Sequence, residues 1–349
     1  MTEIVLPVSQ TNNAPCPGIE RLSILGFNAS SQADTRPVRI HIHNSLTNVR
    51  GNDFTLVKYF ANAAERAVAA GTLNPDHTFQ FSFSNAGVPR EVSRLDDASF
   101  EKDRRYIEEF HTVRSLDEID PDLIFVTGWE PENSAAPTSI ENDHRSIAAG
   151  EIIAWAEASE VPTVLSCRAA HLGLSNLFEN EAEPVLELLP RKLKSITAVD
   201  LRDPSAPIVS GLPSQFSMPI SRLCGFNQTA MQALIDQGSV DEVAHSPEAG
   251  TIIATRDNFI YISGHMECDR ASIAGEDARD HERDTLAGKP PELHLGPTRN
   301  FDPADQQPRW EQDGLVIGGN ILALAAEHAE ARRQDVPATQ AYVAPGLAL

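Results

Sequence analysis

The sequence predicts an α/β fold in which a mostly parallel sheet carries helices on both faces. Two alternating runs, VRIHIHNSL (38–46) and HTFQFSFSN (77–85), have the period of two that is typical of strands. The continuous apolar run LIFVTGW (123–129) indicates a central strand covered on both faces. Helical segments separate these runs, and that alternation is the pattern of a parallel sheet wrapped by helices.

The remaining elements follow in chain order. Apolar residues recur at helical spacing over 53–71, where Gly71 ends the run. EIIAWAEASEV (151–161) predicts a helix, PTVLSC (162–167) a short buried strand and RAAHLGLSNLF (168–178) another helix. The runs TIIATRD and NFIYISG predict a hairpin, and GGNILALAAEHAEARR predicts a last helix.

Composition also suggests a division of the chain. Residues 1–36 are polar and interrupted by prolines, which predicts an irregular N-terminal arm over the surface or across a subunit boundary. No repeat or Gly/Ser-rich linker divides residues 37–330, so we expect a single domain there. The tail 331–349 has no strong periodicity and is predicted to be flexible.

Charge excludes two classes of function. The chain has 28 Lys plus Arg against 50 Asp plus Glu, a formal net charge of −22. Nucleic acid and anionic membranes both require a basic face, which this composition does not favour. The N-terminus has neither a basic nor an apolar leader segment, so we expect a cytoplasmic protein with reduced thiols.

The residues that bind metals and phosphates do not fall into known patterns. The four cysteines are scattered without CxxC or Cys-His spacing, and no phosphate-binding loop is present. His41 and His43 share one face of a strand, but no third ligand lies at a suitable spacing. We therefore expect no metal and no tightly bound cofactor.

Cys167 is the first candidate catalytic residue. It stands between the predicted strand PTVLS and the predicted helix RAAHLGL, so it would lie at the carboxyl edge of the sheet. The free N–H groups at the start of that helix would lower the pKa of a thiol and stabilise an oxyanion. A buried core cysteine is the alternative, because Arg168 and Ala169 stand where a small-residue elbow would have glycine.

His265 and Glu267 are the second candidate pair. They follow the apolar strand YISG, and extended backbone places residues two apart on the same face. A carboxylate that holds one ring nitrogen leaves the other nitrogen available as a base. Together with Cys167, these residues predict a Cys–His–Glu triad.

The order of these motifs resembles the homoserine O-acyltransferases, the transsuccinylases and transacetylases of methionine synthesis, over roughly residues 37–330. The resemblance implies a class I glutamine amidotransferase-like fold, which is a flavodoxin-like three-layer arrangement. The matching stretches are Asn52-Asp53-Phe54, Val126-Thr127-Gly128, Leu165-Ser166-Cys167 with Ala169-Ala170, Pro219-Ile220-Ser221-Arg222, Ser263-Gly264-His265-Met266-Glu267-Cys268-Asp269, and Trp310 near Asp313-Gly314.

The resemblance implies a ping-pong acyl transfer. Cys167 would accept the acyl group from acyl-CoA, His265 would act as the base and Glu267 would orient it. The acyl group would then pass to the side-chain hydroxyl of homoserine or of a related hydroxy amino acid such as serine. A homodimer is implied as well.

The resemblance also implies substrate-binding residues. Arg279 would bind the α-carboxylate of the amino acid and Glu276 its ammonium group, and Arg222 matches a family arginine near the site, where it could also be structural. Glu132 falls where acetyl-transferring members carry glutamate and succinyl-transferring members carry glycine. A carboxylate there, whether Glu132 or Glu130, would repel a succinyl group, so we expect acetyl-CoA to be preferred to succinyl-CoA.

Three departures from the family pattern affect the acceptor pocket and the oxyanion site. The family's loop lysine is absent after the first strand, so backbone N–H groups near Arg168 or the side chain of Arg50 would have to serve. Arg168 replaces a Trp, and Cys268 replaces a Tyr. Two other functions therefore stay open, namely a glutamine amidase or hydrolase with the same triad and a catalytically silent binding protein.

Overall fold

The structure is a computed structural model. It describes residues 2–31, 36–46, 48–86, 96–112, 114–129, 143–178, 184–286 and 308–335. The strands are β1 Glu3–Val5, β2 Asn28–Ser30, β3 Val38–His43, β4 Thr78–Ser84, β5 Leu123–Val126, β6 Thr163–Ser166, β7 Leu186–Leu201, β8 Gln215–Phe226, β9 Asp241–Ser246, β10 Gly250–Arg256 and β11 Phe259–Ile262. The helices are α1 Pro17–Ile24, α2 Val49–Ala69, α3 Asp97–Phe110, α4 Leu116–Ile119, α5 His144–Ser159, α6 Arg168–Leu177, α7 Gln228–Asp236, α8 Arg270–Leu286 and α9 Arg309–Asp335.

The strands form one mixed sheet. Within the described ranges its eleven strands lie in the order β2-β1-β4-β3-β5-β6-β11-β10-β9-β7-β8. Every neighbouring pair from β2 to β11 is parallel, and the pairs from β11 to β8 are antiparallel. The parallel part carries the predicted strands other than β10, which belongs to the predicted hairpin, so the predicted mostly parallel α/β class is confirmed.

Helices cover both faces of this sheet. On one face α2 and α9 pack over the parallel strands, and Phe60 of α2 contacts Phe81 and Phe125 at ring-centroid distances of 5.8 and 5.6 Å. On the other face α5, α6 and α7 bury a second core that includes Leu165 and Tyr261. Each fully buried side chain of this size stabilises the fold by about 1.5–3 kcal/mol. The strands between the two cores therefore carry apolar residues on both faces, as β5 does with its sequence LIFV.

The N-terminal prediction is wrong for the described residues. The segment predicted to be an irregular arm contains β1, α1 and β2, and Ile4 and Leu22 are buried in the core. Both strands have only three residues, which is too short to show a periodicity, and β1 is held by pairing with β4. The helix α9 extends through Asp335, past the predicted start of the tail, whereas residues 336–349 lie outside the described residues. The single domain over 37–330 stays a prediction.

Several elements were not predicted from the sequence. They include α3, α4, α7, β9 and the two long strands β7 and β8, which pair with each other along most of their length. Within β7 the register shifts between Leu188 and Leu193, around Pro190. None of the helices in the described ranges is both long enough and apolar enough to cross a membrane.

Candidate active site

Cys167 lies in the turn between β6 and α6, as predicted. Its backbone has φ +51° and ψ −116°, which is a left-handed conformation that side chains rarely adopt. The backbone N–H of Cys167 donates to the Ile262 carbonyl of β11 at 2.7 Å, which fixes the turn to the neighbouring strand. The residue is 7% exposed. This conformation places the thiol at the carboxyl edge of the sheet, beside the first N–H groups of α6.

Gly128 lies against this turn from the next strand along the sheet. A Cβ atom at this position would be 2.7 Å from Cys167 Cβ, 3.0 Å from the Arg168 backbone nitrogen and 3.1 Å from the Ser166 carbonyl oxygen. Two of these three neighbours are backbone atoms, which cannot move aside without moving the turn. Only glycine therefore permits β5 to approach the turn so closely.

His265 lies three residues beyond the end of β11 and beside the thiol. Its Nδ1 atom is 2.8 Å from Glu267 Oε1, and its backbone N–H donates to the Pro219 carbonyl at 2.8 Å. His265 lies close enough to the Cys167 thiol for each group to shift the pKa of the other. The side chains of His265 and Glu267 are 18% and 14% exposed. The structure thus brings together the three side chains that the sequence singled out, in the order thiol, imidazole, carboxylate.

Charge separation is favoured within this group. Burial acts to raise the pKa of Cys167, but the adjacent His265, its hydrogen bond and the charge of Arg222 bring that pKa below its ordinary value. Burial acts to lower the pKa of His265, but Cys167 and Glu267 raise it well above its ordinary value. Both shifts favour a thiolate paired with an imidazolium, which is the reactive form of a nucleophilic cysteine.

Arg222 lies behind the thiol and contacts protein groups. It is 6% exposed, its Nη1 donates to both oxygens of Ser263, and its Nη2 donates to the Ala249 carbonyl at 2.5 Å. Ser263 Oγ is also 2.8 Å from His171 Nε2 of α6. Burial lowers the pKa of Arg222 to about 10. Because this value is still well above neutral pH, the guanidinium group stays cationic. These contacts fit a structural and electrostatic role for Arg222, which was predicted to bind substrate.

Glu276 of α8 lies next to the triad, but it already has partners. Lys192 Nζ is 2.8 Å from Glu276 Oε1 and 2.8 Å from Asp280 Oδ2, and Ser221 Oγ donates to Glu276. Burial acts to raise the pKa of Glu276, but Lys192 and Ser221 lower it to about 2, so the group is a carboxylate near neutral pH. The Ser221 carbonyl is 3.9 Å from Cys167 Sγ, which connects this cluster to the thiol.

Two predicted site residues cannot be placed in the same way. Arg279 belongs to α8, but its side chain lies outside the described residues. Glu132 and Glu130 lie in 130–142, which is also outside the described residues. Their predicted roles stay predictions.

Arg168, the residue after the nucleophile, turns its side chain away from solvent. It is 6% exposed, its Nη2 is 3.7 Å from Asp143 Oδ2, and its guanidinium lies 5.7 Å from the Trp129 ring centroid. The backbone N–H of Arg168 begins α6, so of the two predicted oxyanion donors the backbone group is the one next to the thiol. Arg50 instead lines a cavity on α2.

The histidines on β3 contact serines. His41 is bonded to Ser82 and Ser84 at 3.0 and 2.8 Å, and His43 to Ser84 at 2.9 Å. Burial lowers the pKa of His41 to about 3 and that of His43 to about 4, so both are neutral near pH 7. Their described contacts fit the structural reading of these residues.

One group of side chains in the described ranges could hold a metal ion. Ligand atoms of His265, Glu267 and Cys268 lie within 4.8 Å of one another. Two of these residues are already joined by a hydrogen bond, and burial raises the pKa of the Cys268 thiol, which disfavours the thiolate that a metal needs. The expectation of no metal stays a prediction.

The sequence did not single out Lys192 or pick Ser221 for a role, although both lie beside the predicted site. Both belong to the long antiparallel pair, Lys192 to β7 and Ser221 to β8. The stretch PRKLKS resembles an exposed basic segment, and burial of Lys192 follows only from its two carboxylate partners on α8. No local signal in the sequence indicates that pairing.

Comparison with protein families agrees with the family resemblance that the sequence motifs indicate. A family model described as homoserine O-succinyltransferase (HTS) matches residues 18–327. The homoserine O-succinyltransferase of Rhodopseudomonas palustris is 33% identical over 184 residues, which cover 52% of this chain and 51% of that protein. That of Shewanella frigidimarina is 23% identical over 328 residues, which cover 91% of this chain and 92% of that protein. A solved glutamine amidotransferase from Thermotoga maritima superposes with a TM-score of 0.47 at 10% identity, covering 85% of this chain and 100% of its own.

The shifted pKa of Cys167 predicts selective alkylation at mildly acidic pH. At about pH 6.5 an ordinary thiol, with a pKa near 8.5, is only about 1% thiolate. We expect iodoacetamide to label Cys167 at this pH but not Cys224 or Cys268, because burial raises the pKa of both of those thiols. Peptide mass spectrometry of the labelled protein measures each site separately.

The same experiment tests the role of His265. A thiolate that is stabilised by an imidazolium is lost as pH falls through the lowered pKa, so His265→Ala should move the labelling profile of Cys167 to higher pH. We expect labelling at pH 6.5 to slow by about tenfold or more, which corresponds to one unit of pKa. The matched control is His245→Ala, since His245 pairs with Glu242 on β9. An unchanged profile in His265→Ala would contradict the ion pair.

Because Gly128 packs closely against the turn at Cys167, a methyl group added at this position should destabilise the fold. Gly128→Ala should lower the free energy of unfolding by about 1–3 kcal/mol, because the turn at Cys167 must shift. Gly150→Ala is the matched control, since its Cβ would meet only Asn176 at 3.8 Å and alanine favours the helix α5 by up to about 1 kcal/mol. Urea denaturation measures both, and equal stabilities would contradict the packing described here.

Proposed function

The chain belongs to the homoserine O-succinyltransferase family, and on this premise we propose that it is an acyl-CoA-dependent O-acyltransferase. It moves an acyl group through Cys167 to the side-chain hydroxyl of L-homoserine or of a related hydroxy amino acid such as L-serine. The observation that supports this most directly is that Cys167 and His265 follow the neighbouring strands β6 and β11, and that Nδ1 of His265 is 2.8 Å from Glu267 Oε1. A base in this position serves both halves of a ping-pong transfer.

In the first half-reaction the Cys167 thiolate attacks the thioester carbonyl carbon of acyl-CoA. A carbon–sulfur bond to Cys167 forms, and the negative charge moves to the carbonyl oxygen beside the first N–H groups of α6. The bond to the CoA sulfur then breaks, and the CoA leaves with the proton that His265 carried. The products are an acyl-cysteine, a neutral His265 and free CoA. Because one thioester is exchanged for another, the free-energy change of this half-reaction is small.

In the second half-reaction neutral His265 takes the proton from the acceptor hydroxyl. The oxygen attacks the acyl-cysteine carbonyl, the bond to Cys167 breaks, and the thiolate–imidazolium pair is restored. Glu267 holds Nδ1 of His265, so that Nε2 is the nitrogen presented to the thiol and to the hydroxyl. One proton thus moves from the acceptor to His265 and, in the next cycle, to the departing CoA.

The acceptor side of the site combines both signs of charge. We propose that Glu276 and Arg279 bind the ammonium and carboxylate groups of the amino acid, as the resemblance implies. Glu276 is an ionised carboxylate that already shares its charge with Lys192. An incoming ammonium group would therefore compete with Lys192, and a freed Lys192 would be near enough to Glu276 to meet the substrate's carboxylate.

The choice of acyl group depends on the acidic residues Glu132 and Glu130. We propose acetyl-CoA as the donor, because the acidic residue Glu132, or Glu130 in its place, would repel the free carboxylate of a succinyl group. The curated relatives carry the name homoserine O-succinyltransferase, which favours succinyl-CoA as the alternative. A function in methionine synthesis and a homodimer are further parts of this proposal that rest on the family, and a cytoplasmic location is a further part that rests on the sequence.

The acyl-enzyme is the intermediate that distinguishes this proposal from the others. Incubation with acetyl-CoA should add the mass of one acetyl group to the intact protein, because the acyl-cysteine accumulates when no acceptor is present. The adduct should be absent in Cys167→Ala and should remain in Cys268→Ala, the matched control. Intact-protein mass spectrometry followed by peptide mapping locates it.

The acceptor is then identified by the release of CoA. Homoserine, serine and threonine are offered in turn, and the transfer product is confirmed by mass. If the wild-type protein forms no adduct with either donor and releases no CoA, the acyltransferase proposal fails. Release of ammonia from glutamine in place of CoA release would support the amidase alternative, and neither activity would support a silent binding protein.

Donor choice gives a separate prediction. Glu132→Gly should shift the ratio of kcat/KM for succinyl-CoA over that for acetyl-CoA upward by about tenfold, since about 1.4 kcal/mol of charge repulsion would be removed. Glu130→Gly is measured beside it, because either glutamate is able to fill the same space. An unchanged ratio in both variants would show that the acidic segment does not contact the acyl group.

A further inference from the structure

A cavity lies at the edge of the sheet where the parallel strands end. It has a volume of about 260 Å³ and is bounded by residues of α1, α2, α3 and β4. Leu6 directly follows β1, Phe83 is the next-to-last residue of β4, and Arg50 lies in the first turn of α2, which follows β3. Because β1, β4, β3, β5 and β6 are all parallel, this is the same edge that carries Cys167.

The mouth of the cavity is cationic. Arg21 and Arg50 line it and are exposed, and neither forms an ion pair within the described ranges. The Arg21 guanidinium lies 3.7 Å from the centroid of the Phe54 ring, so it is held over the cavity. By contrast, Lys192 beside the thiol is paired with two carboxylates. The charge of Arg50 also acts on Asp103. In a chain of net charge −22, two exposed guanidinium groups beside one cavity form a local site for an anion.

The acidic groups next to the cavity are already occupied. Asp53 lines it but is 1% exposed, and it accepts from Asn44 Nδ2 and contacts His111 Nε2, both at 2.7 Å. Asp103 accepts from the backbone N–H of Val49 at 2.7 Å, at the start of α2. A bound anion would therefore be held by the arginine side chains, not by the helix N-terminus.

The interior of the cavity combines apolar and polar groups. Leu6, Val57 and Phe83 are buried and form part of its lining, and the hydroxyl of Tyr106 and the thiol of Cys16, which are 3.8 Å apart, supply polar atoms. A ligand that suits this lining carries a small branched apolar group next to a phosphate, with a hydroxyl or amide beyond it. The pantoyl phosphate of CoA has this sequence of groups.

We propose that this cavity binds the pantoyl-phosphate part of the CoA thioester, with its phosphates at Arg21 and Arg50. The inference rests on the proposed function, because it assigns a place to that reaction's donor. A volume of 260 Å³ is below the roughly 300–1,000 Å³ of a pocket for a whole ligand, so only this part of CoA enters and the nucleotide remains outside.

The distance to the nucleophile agrees with the length of the donor. In the order β4-β3-β5-β6, three strand spacings lead from β4, whose Phe83 lines the cavity, to the strand that precedes Cys167, which is about 14 Å. The pantetheine chain from sulfur to phosphate is about as long as four extended residues, which is also about 14 Å. A donor held at Arg21 and Arg50 can therefore present its thioester to Cys167.

Steady-state kinetics with two donors tests this assignment. One donor is acetyl-CoA and the other is the acetyl thioester of N-acetylcysteamine, which keeps the thioester but lacks the pantoyl and phosphate groups. We expect the double variant Arg21→Ala/Arg50→Ala to raise KM for acetyl-CoA at least about tenfold more than KM for the truncated donor. Arg21→Lys/Arg50→Lys keeps the charges and should lose less.

Arg66→Ala is the matched control. Arg66 lies on the same helix α2, but it donates to Gln312 of α9 at 2.7 Å, away from the cavity. It should leave KM for both donors within about twofold of wild type. Equal effects of the double variant on both donors, or no effect on either, would overturn the assignment. A fall in kcat with both donors in Arg50→Ala alone would instead place Arg50 at the oxyanion.

Calorimetry separates failure of this inference from failure of the proposed function. CoA is titrated into the wild type, the double variant and Arg66→Ala. Binding that is lost only in the double variant supports the cavity as a CoA site, even if no acyl transfer is found with any acceptor. Wild-type binding that persists in the double variant, or no binding by the wild type, overturns it. Thermal unfolding of each variant confirms that the fold is intact.

Discussion

The parallel pairing of β6 with β11 is the interaction on which the candidate site depends. Ser166 pairs with Ile262, and the next residue, Cys167, donates its backbone N–H to the Ile262 carbonyl. The two strands come from distant parts of the chain, and β11 enters the sheet beside β6 because β10 and β11 form a hairpin. A register change of one residue would reverse the face of every side chain on β11 and would separate the imidazole from the thiol.

At this site burial favours the neutral forms of Cys167 and His265, whereas the neighbouring charges favour their ionised forms. A buried thiol and a buried imidazole are each more stable neutral, and desolvation is the largest single contribution for both. The charges of His265 and Arg222 reverse this tendency for the thiol, and those of Cys167 and Glu267 reverse it for the imidazole. Arg222 is kept cationic there by the carbonyl groups of Ser263 and Ala249, which replace the water that burial removes.

The part of the site that is encoded locally could be predicted from the sequence. The strand, cysteine and helix around Cys167 are contiguous, and so are the strand and His265 with Glu267, so a short window shows each of them. Lys192 could not be found in this way, because its burial depends on contacts with α8 that are far away in the chain. The strands β1 and β2 were missed for a related reason, since three residues carry no periodicity and their stability comes from pairing with β4.

Net charge and local charge act at different distances in this protein. At physiological ionic strength the Debye length is about 8 Å, so most of the −22 charge is screened from a ligand at any one surface position. A polyanionic donor therefore responds to the few groups within that distance. Near the thiol the described cations Lys192 and Arg222 are engaged by protein groups, whereas Arg21 and Arg50 at the cavity mouth form no ion pair in the described ranges. The acidic surface favours solubility, and the positions of exposed arginines such as Arg21 and Arg50 determine where an anion can bind.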